Sequence, residues 1–114
     1  MDLMLVNNTL VKMTESQKIL QKYPDKVPII INKQKGSLLK KITKNKFLVP
    51  KDISMSQFVY IIRKRIQLKE HEALFIMINN SLMPSSMTMG DIYNKYKNKD
   101  GYLYAIYNTE NTFG

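Results

Sequence analysis

One helix start governs how the middle of this chain can fold. Ser54 and Gln57 have the spacing of a capping box, and Ile53 with Phe58 has the spacing of a hydrophobic staple. From there Met55, Val59, Ile62 and Ile66 form an apolar stripe ending near Ile66, with Phe58, Ile61 and Arg65 along its flank. Two strand-like runs precede this helix. Val27-Pro28-Ile29-Ile30-Ile31 is β-branched, with its proline near the start. Lys46-Phe47-Leu48-Val49-Pro50 is closed by a proline, which cannot donate to a ladder and favours an edge or a strand end. Two more runs follow, Ala73-Leu74-Phe75-Ile76-Met77-Ile78 and Tyr102-Leu103-Tyr104-Ala105-Ile106-Tyr107. Two strands, a crossing helix and two further strands predict an α+β chain.

The remaining segments are read by the same rules. Residues 9–22 have the period of an amphipathic helix through Leu10, Met13, Gln17 and Leu20. Thr14 with Gln17 is a second capping box, so this helix starts late or is split. Tyr23-Pro24-Asp25 ends it. Lys33 to Lys44 is basic around Gly36-Ser37 and suits a loop. Asn79-Asn80-Ser81 is a turn, and Met89, Ile92, Tyr93 and Tyr96 have the spacing of a last short helix. Asn108 to Gly114 has no periodicity. The expected division is a helical extension over 1–25, a core over 26–107 and a flexible tail over 108–114.

Length and composition narrow the function classes. At 114 residues the chain makes one domain. It has no cysteine, so disulfides, thiolate-bound zinc and a thiol nucleophile are excluded. The apolar patch Leu3-Met4-Leu5-Val6 is too short to span a membrane and follows no basic segment, so no signal peptide is expected. Net charge is +9 and unevenly placed. Lys12 to Lys69 holds 15 Lys and Arg against Glu15, Asp25 and Asp52, whereas Glu70 to Gly114 holds three Lys against five carboxylates. A basic half suits either a solvated lysine-rich face or an anionic partner. His71 reads as an ordinary exposed loop residue. The residue spacing supplies neither a catalytic carboxylate pair nor a metal-ligand set, so no catalytic residue, no metal and no enzyme activity are expected.

Five stretches in register resemble a known family. They are Lys26-Val27-Pro28-Ile29-Ile30, Lys46-Phe47-Leu48-Val49-Pro50, Gln57-Phe58-Val59-Tyr60-Ile61-Ile62-Arg63-Lys64-Arg65-Ile66, Lys99-Asp100-Gly101-Tyr102-Leu103-Tyr104 and Glu110-Asn111-Thr112-Phe113-Gly114. Together they resemble the autophagy-related protein 8 family of ubiquitin-like modifiers, with its GABA-receptor-associated-protein and microtubule-associated light-chain relatives, over Glu15 to Gly114. The resemblance implies a ubiquitin-like β-grasp with a four-stranded mixed sheet and two N-terminal helices. It implies that Gly114 is joined by an amide to phosphatidylethanolamine, after being carried as a thioester by an activating and a conjugating enzyme. A deconjugating cysteine protease and cargo receptors are further implied partners. No cofactor is implied beyond the covalent lipid, and no nucleic-acid partner. The expected form is a monomer in solution, cytoplasmic when free and on autophagosomal membrane when lipidated.

The resemblance also implies a peptide site, where an aromatic-x-x-aliphatic segment adds as a strand to the edge at Lys46 to Pro50. Its aromatic pocket maps to Glu15, Ile19, Pro28, Ile30, Lys46, Leu48 and Tyr102. Its aliphatic pocket maps to Phe47, Val49, Pro50, Ile53, Phe58, Ile61 and Arg65, with Lys26 as a rim charge. Alternation by two lets one strand serve both pockets, though composition equally admits Ile30, Leu48, Phe58 and Ile61 as core. A second surface of relatives maps to Phe75-Ile76-Met77, where a buried strand is the simpler reading.

The tail of seven residues reaches about 23 Å at roughly 3.3 Å each, enough to enter another enzyme's active site; a frayed terminus is the plain alternative. With nothing after Gly114, the chain is either born mature or is the processed form. Departures from the family are Lys26 where arginine is usual, which loses a bidentate fork, and Tyr102 where phenylalanine is common. The loop Ser37 to Thr43 lacks the usual acidic residues, and the resemblance fades before Glu15. A non-conjugated ubiquitin-like adaptor that only docks peptides is the alternative reading. Nucleic-acid binding through Lys33 to Lys46 ranks last, because no recognition motif accompanies the lysines.

Overall fold

A computed structural model of the chain describes residues 2–109. Its elements are β1 (Leu3–Val6), β2 (Thr9–Lys12), α1 (Glu15–Lys22), β3 (Lys26–Lys33), β4 (Lys46–Pro50), α2 (Met55–Arg65), β5 (Phe75–Ile78), β6 (Ser81–Leu82), α3 (Met89–Tyr96) and β7 (Leu103–Asn108). The α+β, ubiquitin-like order read from the sequence is present. Strands β4, β3, β7, β5 and β6 form one mixed sheet in that spatial order, and β1 with β2 forms a separate hairpin.

Both capping boxes are made. The Ser54 hydroxyl accepts from the Gln57 amide at 3.2 Å, and Gln57 returns a carboxamide oxygen to the Ser54 amide at 2.8 Å. Thr14 and Gln17 repeat the arrangement at the start of α1. Each box satisfies amides that a helix start otherwise leaves unpaired.

The main core lies on one face of the sheet. Val27, Ile29, Ile31, Val49, Leu103, Ala105 and Tyr107 meet Met55, Phe58, Ile62 and Ile66 of α2 and its end, with Met89, Ile92 and Tyr93 of α3. Ile29, Phe58, Ile62 and Leu103 are fully buried, and each such side chain contributes roughly 1.5–3 kcal/mol. Helix α1 packs on the opposite side of β3. It is tied to the turn before β7, where the Ser16 hydroxyl donates to the Asp100 carbonyl at 2.5 Å. The Tyr93 hydroxyl donates to the adjacent Gly101 carbonyl at 2.6 Å.

Three sequence expectations need correction. Residues 9–12 are strand rather than helix, so the extension over 1–25 is a hairpin plus one helix, not two helices. Asn7 and Asn8 both take left-handed φ, 48° and 65°. Two such residues form the tight turn that suits a right-twisted hairpin, and asparagine tolerates that conformation. Leu10 and Met13 have helical spacing, but Leu10 is in β2 and Met13 lies in the link between β2 and α1. Second, Ser81–Leu82 adds a fifth, two-residue strand beside β5. Third, Asn108 is the last residue of β7, opposite Phe75 and buried, so it belongs to the sheet rather than to the tail. Residues 110–114, with the expected tail end at Gly114, lie outside the described residues.

Gly101 has φ +85°, and a Cβ there would stand 2.2 Å from the Ser16 Oγ. Gly36 has φ +86° with open space around it. Left-handed strain alone is worth about 1–2 kcal/mol. Gly36→Ala is therefore expected to cost about 1 kcal/mol in denaturant unfolding, and Gly101→Ala clearly more, because it also displaces Ser16 from Asp100.

Candidate functional site

Strand β4 is an edge of the sheet. Its inner side pairs antiparallel with β3, Ile29 opposite Phe47 and Val27 opposite Val49. The flanking bonds Ile31 N–H to Asn45 O and Lys51 N–H to Asp25 O, both 2.9 Å, set the phase of the ladder. Odd-numbered residues from 45 to 51 therefore face β3. Lys46 and Leu48 turn their N–H and C=O groups to the open edge, because the bonding direction alternates along an antiparallel strand. Pro50 ends the run with no N–H to offer. Pro28 on β3 lies outside the β7 ladder, which begins at Ile29 opposite Leu103.

The two faces of β4 carry the two groups of site residues. On the α1 side are Lys46 and Leu48, both exposed, above half-buried Ile30 and buried Pro28. Half-buried Ile19 comes from α1, and Tyr102 from the residue before β7 is 7% exposed. Glu15, in the first turn of α1, gathers this cluster. The Tyr102 hydroxyl donates to Glu15 Oε1 at 2.6 Å, and Lys46 Nζ donates to the same oxygen at 3.2 Å. Lys46 also lies over the Tyr102 ring, 5.5 Å from its centroid. On the other face half-buried Phe47 has Arg65 over its ring at 5.3 Å. Ile53 and Ile61 are half-buried nearby in sequence order, and the Ile53 N–H reaches the Pro50 carbonyl.

Two residues expected in the aliphatic pocket offer almost no surface, as does Pro28 of the aromatic group, less than 2% exposed. Phe58 is 0% exposed and Val49 is 4% exposed. Both belong to the main core, so they back the aliphatic side rather than line it. Lys26 is half-buried opposite Pro50, at the far end of the edge from Lys46. For the second surface, Ile76 and Met77 are buried and Phe75 is half-buried. Phe75 and Ile76 border a mostly apolar cleft of about 290 Å³ with Met55, Val59, Leu82 and Met83.

The charges at the α1 side follow from these contacts. The Tyr102 hydroxyl, and then Lys46, hold the Glu15 carboxyl below its ordinary value. Burial, and then Glu15, push the Tyr102 phenol up to about 12. Both shifts favour one state, a neutral phenol donating to a carboxylate. Next to it Asp100 accepts from the Tyr104 hydroxyl and, at 3.0 Å, from the Tyr102 amide. Those two contacts hold the Asp100 carboxyl below its ordinary value, and Tyr104 is correspondingly raised. The Ser16 contact to Asp100 has no local sequence signal, because the two residues lie 84 positions apart.

Comparison with known proteins is consistent along the chain. The family model "Autophagy protein Atg8 ubiquitin like" matches residues 4–114. Autophagy-related protein 8 of Schizosaccharomyces pombe is 50% identical over 101 residues, covering 89% of this chain and 84% of that protein. Autophagy-related protein 8a of Arabidopsis thaliana is 46% identical over 103 residues, covering 90% and 84%. The crystal structure of Trypanosoma brucei ATG8 superposes with a TM-score of 0.80 at 45% identity, covering 88% of this chain and 86% of that one. Plasmodium falciparum Atg8, solved in complex with a Plasmodium falciparum Atg3 peptide, gives 0.78 at 33% identity, covering 84% and 85%.

Glu15 provides the test of this local arrangement. Its contribution to stability is present above the unfolded carboxylate value and is lost as pH falls through its lower folded value. Carboxyl-carbon NMR titration should show Glu15 moving back toward its ordinary value in both Tyr102→Phe and Lys46→Met. No movement in Tyr102→Phe would remove the tyrosine as a partner.

Proposed function

The chain belongs to the Atg8 family of ubiquitin-like autophagy proteins, and on that premise we propose that it is a lipid-conjugated modifier which recruits partners by short peptides. Gly114 is the residue joined to phosphatidylethanolamine. A terminal glycine has no Cβ to obstruct attack on its carbonyl. Lacking cysteine, the chain is the carried group: the thiols of the activating and conjugating enzymes form the thioesters, and the lipid amine displaces the last of them. A cysteine protease reverses the linkage. The chain thus acts as a modifier and not as an enzyme, cytoplasmic when free and on autophagosomal membrane when conjugated.

The observation that carries the peptide reading is the open edge of β4, with Lys46 and Leu48 presenting backbone donors and acceptors between two half-buried patches. A peptide in extended form adds its own ladder there, and backbone bonds supply register while side chains supply selectivity. Its aromatic residue goes to the side of Ile19, Ile30, Leu48 and Tyr102. Its aliphatic residue goes to the side of Phe47, Ile53, Ile61 and the Arg65 stem. Burying those two side chains stabilises by roughly 1.5–3 kcal/mol each, less the cost of ordering the peptide; the backbone ladder adds to this, so binding no tighter than micromolar is expected. Lys26, Lys46 and Arg65 suit acidic residues flanking the motif, at up to about 1 kcal/mol for each exposed pair. The Plasmodium relative, solved with an Atg3 peptide, supports a peptide of the conjugating enzyme as one ligand of this chain.

Two measurements test the two halves. In calorimetry with an aromatic-x-x-aliphatic peptide, Leu48→Asp should weaken binding at least about tenfold, since a carboxylate in an apolar contact loses its hydration. Unchanged affinity would move the peptide elsewhere. In reconstitution with activating enzyme, conjugating enzyme and phosphatidylethanolamine vesicles, the chain should gain the mass of the lipid and the chain lacking Gly114 should not. No gain by the intact chain would favour the non-conjugated adaptor.

A further inference from the structure

Residues 34–45 join β3 to β4 and leave the sheet at the end where β7 stops. The Gln34 amide donates to the Tyr107 carbonyl at 2.8 Å. The Tyr107 hydroxyl then reaches into the loop, donating to the Lys40 carbonyl at 2.6 Å and accepting from the Ile42 amide at 2.9 Å. Leu39 and Ile42 are buried in the main core. The loop is therefore held from within, and between Ser37 and Leu39 it presents Leu38 at 101% exposure. The Ser37 hydroxyl accepts from the Leu39 amide at 3.2 Å, which fixes the turn that carries Leu38.

The surroundings of Leu38 are cationic. Lys33, Lys35, Lys40, Lys41 and Lys44 flank it in sequence with no acidic residue among them. Among the described residues the ion pairs are Lys18 with Asp2 and Lys46 with Glu15, so these five lysines have no carboxylate partner there. Lys40, Lys41, Lys44 and Arg65 border a cleft of about 320 Å³. A single exposed leucine is ordinary. One held outward on a pinned turn, among uncompensated lysines, has the two signals that reversible membrane docking requires: an apolar group for the interface and a polybasic patch for anionic lipid.

Position supplies the occupant. Thr109 follows directly on the end of β7, and the five residues 110–114 span at most about 18 Å. With Gly114 on a lipid amine, the end of the sheet that carries this loop stays within that distance of the bilayer. We infer that the loop over 34–45 is a second membrane contact, with Leu38 entering the interface and the lysines facing the phosphates of anionic phospholipid. The placement rests on Gly114 as the conjugation site. The contact would orient the conjugated protein, because β4 starts at this end and runs away from it toward Pro50.

The test uses the full, unconjugated chain, sedimented with phosphatidylcholine vesicles or with vesicles that also contain phosphatidylserine. Partitioning should require phosphatidylserine and fall with added salt. Leu38→Ser should lower it about tenfold, and Lys41→Gln and Lys44→Gln about fivefold each. Leu38 buries nothing in the fold, so its variant should keep the parent melting temperature. Equal partitioning of Leu38→Ser and parent, or equal binding to both vesicle types, would overturn the inference. So would RNA binding that vesicles cannot displace and Leu38→Ser does not weaken, which would assign the lysines to nucleic acid. Failure of Gly114 to conjugate leaves this measurement standing, whereas a chain that conjugates but shows no dependence on Leu38 or the lysines refutes the loop contact alone.

Discussion

The parallel pairing of β3 with β7 is the constraint on which the rest depends. Ile29 lies opposite Leu103 and Lys33 opposite Tyr107, so chain segments some seventy residues apart form the centre of the sheet. Parallel neighbours cannot be joined by a hairpin and need a long crossover. The chain between them supplies α2, β5, β6 and α3. With β7 on one side of β3, β4 takes the other side and has no further strand beside it among the described residues. The open edge at Lys46 to Pro50 is thus a consequence of the central pairing, not a property of its five residues. Pro50 at its end then limits how far an added strand can continue.

The same pairing brings the turn at Asp100–Gly101 under α1. Ser16 of α1 and Tyr93 of α3 bind its two carbonyls. Gly101 is required there both by its left-handed φ and by the closeness of Ser16. Once α1 is seated, Glu15 falls within reach of Tyr102 and Lys46. The acidic residue at the edge is therefore positioned by a helix-to-turn contact that has no peptide function of its own. Tyr102 adds the hydroxyl that makes this link.

How much of this the sequence could reveal depended on range. The capping boxes at Thr14 and Ser54 are local, and both helix starts were legible. So were the β-branched run of β3 and the proline that closes β4. The N-terminal hairpin was hidden because Leu10, Met13, Gln17 and Leu20 keep helical spacing across an element boundary, and the contrary signals were the capping box at Thr14 and the pair Asn7-Asn8. Phe58 fits a staple, a pocket and a core equally well, and only its complete burial decides for the core. Ser81–Leu82 is too short to carry a pattern. The Tyr107 contacts to Lys40 and Ile42 join positions more than sixty residues apart, so the pinning of the basic loop was not legible, although its missing acidic residues were.

Function in this account is divided between two places. One end of the sheet carries the basic loop and the end of β7, and the edge of β4 is where peptide recognition is proposed. The central claim is that this edge accepts a strand in the phase set by its pairing with β3. Residue-resolved hydrogen exchange with and without an aromatic-x-x-aliphatic peptide tests it most directly. New protection should appear at the Lys46 and Leu48 amides, while Phe47 and Val49, already bonded to β3, change little. Protection gained at Phe47 and Val49 instead, or no change along β4 at a saturating peptide concentration, would contradict it.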